Sequence, residues 1–292
     1  MSSKTILING ANGQLAHSLN NLFYGTDFNI IKSSYNQGPL NDVISNFSYF
    51  DETYSLINEK KPDFIINCAA LTNVDFCEEN RKKAYEVNVQ VVQNILKSMP
   101  FDSKLIQIST DYVFDGKKAP YTEESIPNPI NYYGKTKLEA ENIIRSSQKK
   151  YIIIRTGSLF SEFINMNSNK LTWLFNKLKN NQEIFTATDM ISTATSTASL
   201  AKIIFKLLPF NQNLIINYSG QDSMSIYDFS LLVSKVFNFN KDLIKPILVE
   251  NLPFKAKRPK DTSLKTDLIS NLLNCNIYET EYSLKIIRDI IN

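Results

Sequence analysis

Of the 14 tyrosines in this 292-residue chain, only Tyr133 is followed four positions later by a lysine, Lys137. Residues four apart share one face of a helix. There an ammonium can draw a phenol from its ordinary pKa of about 10 towards the working range. Such a phenol can give a proton to a carbonyl oxygen while hydride reaches the carbon. The bare spacing arises about once by chance in a chain this rich in both residue types, so position carries the argument. Tyr133 opens a helix-like segment, about 132–147, that follows Ser109-Thr110-Asp111-Tyr112 at the end of an apolar, strand-like run. Ligands of open α/β sheets sit outside the carboxyl ends of the strands, so Thr110 is placed to hold the same oxygen by a hydrogen bond.

A second stretch, Gly10-Ala-Asn-Gly13-Gln-Leu-Ala16, lies between the first strand-like run and the first helix-like one. A tight turn there opens a helix whose free N–H groups point at a pyrophosphate, which is the dinucleotide-binding arrangement. Cofactor choice should be written at the end of the second strand. An acid would bind the ribose 2′-hydroxyl of NAD, whereas this chain has Lys32-Ser33-Ser34 and no carboxylate. These three residues could bind a 2′-phosphate, so NADPH is expected over NADH.

Scarcity narrows the chemistry. The chain has one histidine, His17, and three cysteines, Cys68, Cys77 and Cys275, too few for a His-rich or Cys-rich zinc site. The cysteines read as plain thiols in a reducing compartment, and His17 as a structural or exposed residue. Acid–base work falls to Tyr, Lys, Asp or Glu. Asp75 and Glu78 read as helix N-terminal acids rather than metal ligands, and no metal is expected. A net charge of +3 is too small to make nucleic acid the main partner. No apolar run reaches the length of a membrane span, and no signal-peptide core follows Met1, so the expected location is the cytoplasm. The basic cluster Lys255, Lys257, Arg258 and Lys260 reads as a diphosphate clamp or a solvated loop. Trp173 with Leu171, Leu174 and Leu178 reads as a core-facing helix stripe.

The elements that must position these residues alternate. Strands are expected at Thr5–Asn9, Phe28–Lys32, Asp63–Asn67, Lys104–Ser109 and Tyr151–Arg155, and helices at Gln14–Phe23, Glu78–Ser98 and about 132–147. Strands fed by crossover helices predict an α/β fold, a Rossmann-like, doubly wound parallel sheet. Residues 1–157 form the expected nucleotide-binding domain. Residues 158–292 form a smaller substrate-binding lobe, from which about 196–218 return to the sheet.

Together these residues resemble the extended short-chain dehydrogenase/reductases and, more narrowly, the dTDP-4-dehydrorhamnose reductase family. The matching blocks are Gly10-Ala-Asn-Gly-Gln-Leu15, Pro62 to Asp75, Ser109-Thr-Asp-Tyr-Val-Phe-Asp-Gly116, Asn131 to Glu141, Ile153-Ile-Arg-Thr156 and a late Arg258-Pro. The match is strong to about Thr156 and thin beyond. The resemblance implies a catalytic trio of Thr110, Tyr133 and Lys137, with Tyr133 as general acid and Lys137 also on the nicotinamide ribose. It implies a pyrophosphate cradle of Gly10, Asn12, Gly13, Gln14 and Leu15. Ala69, Ala70 and Leu71 would line the cofactor, and Asn46 and Phe47 would lie near adenine. Val74, Asp75, Asp111 and Tyr112 would border the substrate, and Arg258 would approach its diphosphate. The implied reaction is NADPH-dependent reduction of a nucleotide-linked 4-keto-6-deoxysugar, dTDP-linked, for cell-surface polysaccharide precursors, by a chain that could act as a homodimer. Two departures fall on the substrate side. The family's tryptophan after Arg-Thr is Gly157-Ser158 here, and its Asp-Gln-x-Gly-x-Pro-Thr loop is Asp189-Met-Ile-Ser-Thr-Ala-Thr195. They keep open an epimerase or another reductase acting on a different nucleotide sugar. Fold-level analogy adds a non-catalytic regulatory subunit of methionine adenosyltransferase.

Overall fold

The computed structural model describes residues 3–163 and 170–291. Its centre is a seven-stranded sheet in which every pair of neighbours is parallel. In chain order the first half runs β1 (Thr5–Asn9), α1 (Gln14–Phe23), β2 (Asn29–Ser34), β3 (Val43–Ile44), α2 (Phe50–Lys60) and β4 (Phe64–Asn67). Then come α3 (Val74–Glu79), α4 (Arg81–Tyr85), a π-helical turn (Glu86–Gln90), α5 (Val91–Ser98), β5 (Lys104–Thr110), α6 (Tyr132–Ser146) and β6 (Lys150–Thr156). The second half runs β7 (Leu159–Phe160), α7 (Lys170–Lys179), β8 (Ile184–Ala187), β9 (Ile191–Thr193), β10 (Thr195–Ser196), α8 (Thr197–Leu207), β11 (Leu214–Asn217), β12 (Ser223–Ser225), α9 (Ile226–Phe237), β13 (Ile244–Ile247), α10 (Asp267–Leu273) and α11 (Thr280–Ile291). The sheet order is β11-β6-β5-β4-β1-β2-β3. The order in which strands are added therefore reverses at β1, and the crevice outside the carboxyl ends of β1 and β4 is the switch point at which such sheets bind ligands.

The strands are continuous apolar runs because both faces of the sheet are covered. Alternation divides them between two cores. Ile6, Ile8, Ile66, Ile106 and Ile154 pack with Leu15, Leu19, Leu200 and Ile204 of α1 and α8. Leu7, Ile65, Leu105 and Ile153 pack with Ile57, Val92, Ile95 and Ile144 of α2, α5 and α6. A third core joins α7, α9 and α11 through Leu174, Phe229, Val233 and Leu284. At the carboxyl ends a polar ladder crosses the sheet. Asn9 Nδ2 donates to Asn67 Oδ1 at 2.9 Å, and Asn67 Nδ2 donates to Gln107 Oε1 at 2.9 Å.

Three expectations are corrected and two elements are added. The segment 78–98 is not one helix: Asn80, at φ −120° and ψ 57°, separates α3 from α4, and a π-helical turn precedes α5. Helix α2 and strand β3 were not expected from the sequence. In the stripe on α7, Leu171, Leu174 and Leu178 are buried but Trp173 is 44% exposed, because it falls on the outer face. Finally, the basic cluster is largely neutralised. Lys255 pairs with Glu79, Arg258 with Asp75 and Lys260 with Asp189.

Candidate active site

The first turn begins with Gly10 at φ +84°, in the left-handed region open to glycine. A Cβ there would lie 2.6 Å from the backbone nitrogen of Ala69, so the turn can press against the segment after β4 only without a side chain. Gly13 then stands at the N-cap of α1 with no side-chain cap, leaving the first N–H groups of the helix free to face a ligand.

Two cavities meet at this turn. One, of about 400 Å³, is bordered by Gly13, Gln14 and Leu15 at one end and by Thr110, Tyr133 and Lys137 at the other. Val74, Asp111 and Tyr112 also line it. The second, of about 340 Å³, lies towards β2 and is lined by Gly10, Asn12, Ser34, Asn46, Phe47 and Ala69. Gly13, Cys68 and Ala70 border both. The Asn12 Oδ1 and Gln14 Oε1 atoms are buried with no hydrogen-bond partner among the described residues. A free helix N-terminus, a glycine cradle and orphaned polar atoms along one crevice fit a dinucleotide.

Helix α6 starts under the Asn131 side chain, which accepts from the Gly134 N–H at 2.9 Å. Glu78 Oε2 accepts from the Tyr132 N–H at 2.9 Å, so this acid serves a helix terminus, as expected of it. One turn of α6 separates Tyr133 from Lys137, and both are buried, 8% and 3% exposed. Lys137 Nζ donates to the carbonyl of Ile108 on β5 at 2.7 Å. Burial pushes this ammonium down to about 8, against the pull of the Glu141 carboxylate. The phenol behaves otherwise than the spacing suggested. Burial raises Tyr133 above its ordinary range, the Thr110 hydroxyl offsets part of that rise, and Asp111 adds to it. Desolvation outweighs any help from the lysine, one of whose N–H groups goes to the Ile108 carbonyl. Tyr133 therefore stays a neutral proton donor.

Sequence reasoning assigned no role to Glu141 and Arg155. Arg155 Nη2 donates to Glu141 Oε2 at 2.7 Å and its Nε donates to both carboxylate oxygens, while Ser109 Oγ donates to Glu141 Oε1 at 2.5 Å. Their side chains are 2% and 1% exposed. With Ser109 the pair ties α6 to β5 and β6, the strands that end at Thr110 and Thr156. Glu141 stands one further turn along the face that carries Tyr133 and Lys137, a spacing that could have been noticed. In the same way Asn88 on the π-helical turn holds the segment after β4: its Oδ1 accepts from the Leu71 N–H at 2.8 Å and its Nδ2 donates to Thr136 Oγ1 at 3.0 Å.

Asp111 is buried and its carboxyl is pushed up to about 6 by desolvation, which hydrogen bonds from Thr262 and Thr110 partly offset. It fits only because residue 157 is glycine: a Cβ there would lie 2.5 Å from Asp111 Oδ2. Cys68, on the crevice wall, is a thiol pushed up to about 12 by burial and no ready nucleophile.

Five residues expected at the site lie elsewhere. Lys32 pairs with Asp42 at 3.4 Å and reaches Asn20, so it faces away from the crevice. Ser33 is fully buried and Leu71 packs beside Tyr133, neither lining a cavity. Asp75 accepts from the Lys255 and Ala256 N–H groups and from Arg258 Nη2 at 2.9 Å. Arg258 lies over the Phe254 ring and donates to the Ala256 carbonyl. Asp75 and Arg258 thus satisfy each other. Among the described residues no His, Cys, Asp and Glu cluster could hold a metal.

This sheet order, with its glycine turn at β1 and its Thr-Tyr-Lys set at the ends of β5 and α6, defines an extended short-chain dehydrogenase/reductase, the class of nicotinamide-dependent oxidoreductases. Within that class the chain belongs to the dTDP-4-dehydrorhamnose reductase family, since residues 4–290 match the family described as the RmlD substrate binding domain. A dTDP-4-dehydrorhamnose reductase from Aggregatibacter actinomycetemcomitans is 30% identical, over 97% of this chain and 98% of the relative. The structure of a dTDP-4-dehydrorhamnose reductase from Bacillus anthracis in complex with NADP superposes with a TM-score of 0.89 at 27% identity, covering 98% of each chain. The methionine adenosyltransferase 2 subunit beta of Danio rerio is 28% identical over 96% of this chain and 88% of its own length.

Proposed function

We propose that this chain reduces the keto group of a nucleotide-linked 4-keto-6-deoxysugar, dTDP-linked as in its reductase relatives, with NADPH as reductant, in making precursors of cell-surface polysaccharide. The observation that carries this reading is the common cavity: Thr110, Tyr133 and Lys137 border the same space as the N-terminus of α1. Gly10, Asn12 and Gly13 with the first N–H groups of α1 would hold the cofactor's pyrophosphate, Asn46 and Phe47 its adenosine, and Lys137 its nicotinamide ribose. When bound, the dihydronicotinamide supplies the hydride.

The remaining work belongs to the chain. Thr110 orients the keto oxygen once its hydroxyl turns from Asp111 Oδ1 to that oxygen. Tyr133, held neutral by its buried setting, gives that oxygen its proton as negative charge develops there. Even with a raised pKa the phenol can donate, because an alkoxide is a far stronger base than a phenolate. Lys137, whose ammonium shares the helix face, steadies the phenolate until a proton returns from solvent.

The preference for NADPH no longer rests on Lys32 and Ser33. What supports it is that Ser34, Tyr35, Asn36 and Lys83 line the adenosine side and no carboxylate does, so nothing there repels a 2′-phosphate. The solved relative with NADP agrees with this reading. The test is to mix purified protein with NADPH or NADH and a panel of dTDP- and UDP-linked 4-keto sugars, following the dihydronicotinamide absorbance and the sugar products. Net cofactor oxidation with the dTDP-linked keto sugar, faster with NADPH, is expected. Product isomerised without net oxidation would mark an epimerase. The likeness to a methionine adenosyltransferase subunit favours a second reading, a non-catalytic partner. Binding of NADPH with no turnover on any sugar, together with a rise in synthetase activity on mixing, would select it.

A further inference from the structure

Lys170, the first residue of α7, stands on the wall of the catalytic cavity with no acceptor for its ammonium among the described residues. Among the described residues it forms no hydrogen bond and no ion pair; its recorded neighbours are the Phe229 ring, 5.1 Å from Nζ to centroid, and the charge of Asp111. Asp111 forms no ion pair with it and is held by two hydroxyls instead. One of its carboxylate oxygens accepts from Thr110 at 3.0 Å and the other from Thr262 at 2.5 Å. The other lysine of the cavity, Lys137, donates to the Ile108 carbonyl, and Arg258 is spent on Asp75. A half-buried ammonium without an acceptor is costly, and burial already lowers it to about 8. The cost is relieved when an anion enters.

We propose that Lys170 is a substrate-binding residue that takes an anionic oxygen of the ligand, and so sets what the cavity accepts. This rests on the reading of the cavity as a sugar-nucleotide site. Two sources can supply such an oxygen: the diphosphate that links nucleoside to sugar, or a carboxylate carried by the sugar. Lys170 lines the same cavity as Tyr133 and Asp111, so either oxygen would share the space that takes the keto group.

The test is direct binding by calorimetry to the full chain saturated with NADP⁺, for wild type, Lys170→Met and Lys170→Arg. The probes are dTDP, thymidine, UDP-glucose and UDP-glucuronic acid. Retained NADP⁺ affinity and an unchanged melting temperature show that each variant is folded. Lys170→Met should weaken at least one anionic probe ten-fold or more, with Lys170→Arg recovering most of the loss, and leave thymidine unaffected. A loss shared by dTDP and both UDP-sugars assigns Lys170 to the diphosphate; a loss confined to UDP-glucuronic acid assigns it to a carboxylate. Equal binding of every probe by wild type and Lys170→Met overturns the proposal, as does a wild type that binds none of them. Because binding is read without turnover, failure of the reductase reading appears separately, as tight binding with no oxidation of NADPH by any keto sugar.

Discussion

Lys137 is a cation held where cations are disfavoured, and that sets a pH limit. Burial lowers it to about 8, while the phenol it accompanies is raised and keeps its proton throughout. Turnover should therefore hold steady below about pH 8 and fall above it, as the ammonium loses the charge that steadies the phenolate. The measurement is kcat for keto-sugar reduction between about pH 6 and pH 10. A Lys137→Arg variant, which keeps its charge throughout, should retain its lower activity without that fall. The same depressed pKa makes the folded chain gain stability as pH rises from about 8 towards the ordinary value of 10.5, because there the unfolded chain holds the extra proton. A kcat that stays flat to pH 10 in the wild type would contradict this role. Tyr133 and Lys137 could be found from their four-residue spacing together with their place on the helix after the strand that ends in Thr110. Lys32, Arg258 and Lys170 could not, since a charged side chain goes to its partner. Asp42 for Lys32, Asp75 for Arg258 and the open cavity for Lys170 are set by tertiary packing.

At the scale of elements, α6 is aimed by the buried Glu141–Arg155 pair. Removing one member leaves an uncompensated buried charge, so Glu141→Gln should lower stability by about 3–5 kcal/mol in urea unfolding. Replacing both members by apolar residues of similar volume should recover much of that loss, since the desolvation cost disappears with the charges. The β1–α1 turn is as exacting. Gly10→Ala brings a methyl group onto the Ala69 backbone and keeps φ positive, so NADPH affinity should fall ten-fold or more in fluorescence titration; unchanged affinity would show that the turn does not approach the cofactor. Legibility followed element length and periodicity. Strands β1, β4, β5 and β6 and helices α1 and α6 are uninterrupted patterns and were readable. Helix α2 was not, because it buries only Thr53, Leu56 and Ile57. The break at Asn80 and the π-helical turn escaped because apolar periodicity runs on across them. Pairings as short as β7 with β10, two residues each, have no period to read.

Over the whole molecule the crevice is assembled from distant parts of the chain. Strands β1, β2 and β4 and helix α1 form its cofactor side, while β5, α6, the start of α7 and the segment after β6 form its catalytic side. A ligand bridging these parts stabilises the folded chain by mass action, by about 2.7 kcal/mol at a hundred-fold excess over its Kd. NADPH should therefore raise the melting temperature, and more than NADH at equal concentration. An equal rise with both would remove the cofactor preference while leaving the fold assignment intact. The most direct measurement is NADPH oxidation by dTDP-4-keto-6-deoxy sugar with wild type and Tyr133→Phe, each shown to bind NADPH equally. The account predicts turnover in the wild type and a loss of about 10²–10⁴-fold in the variant. Equal turnover in the two proteins would contradict it.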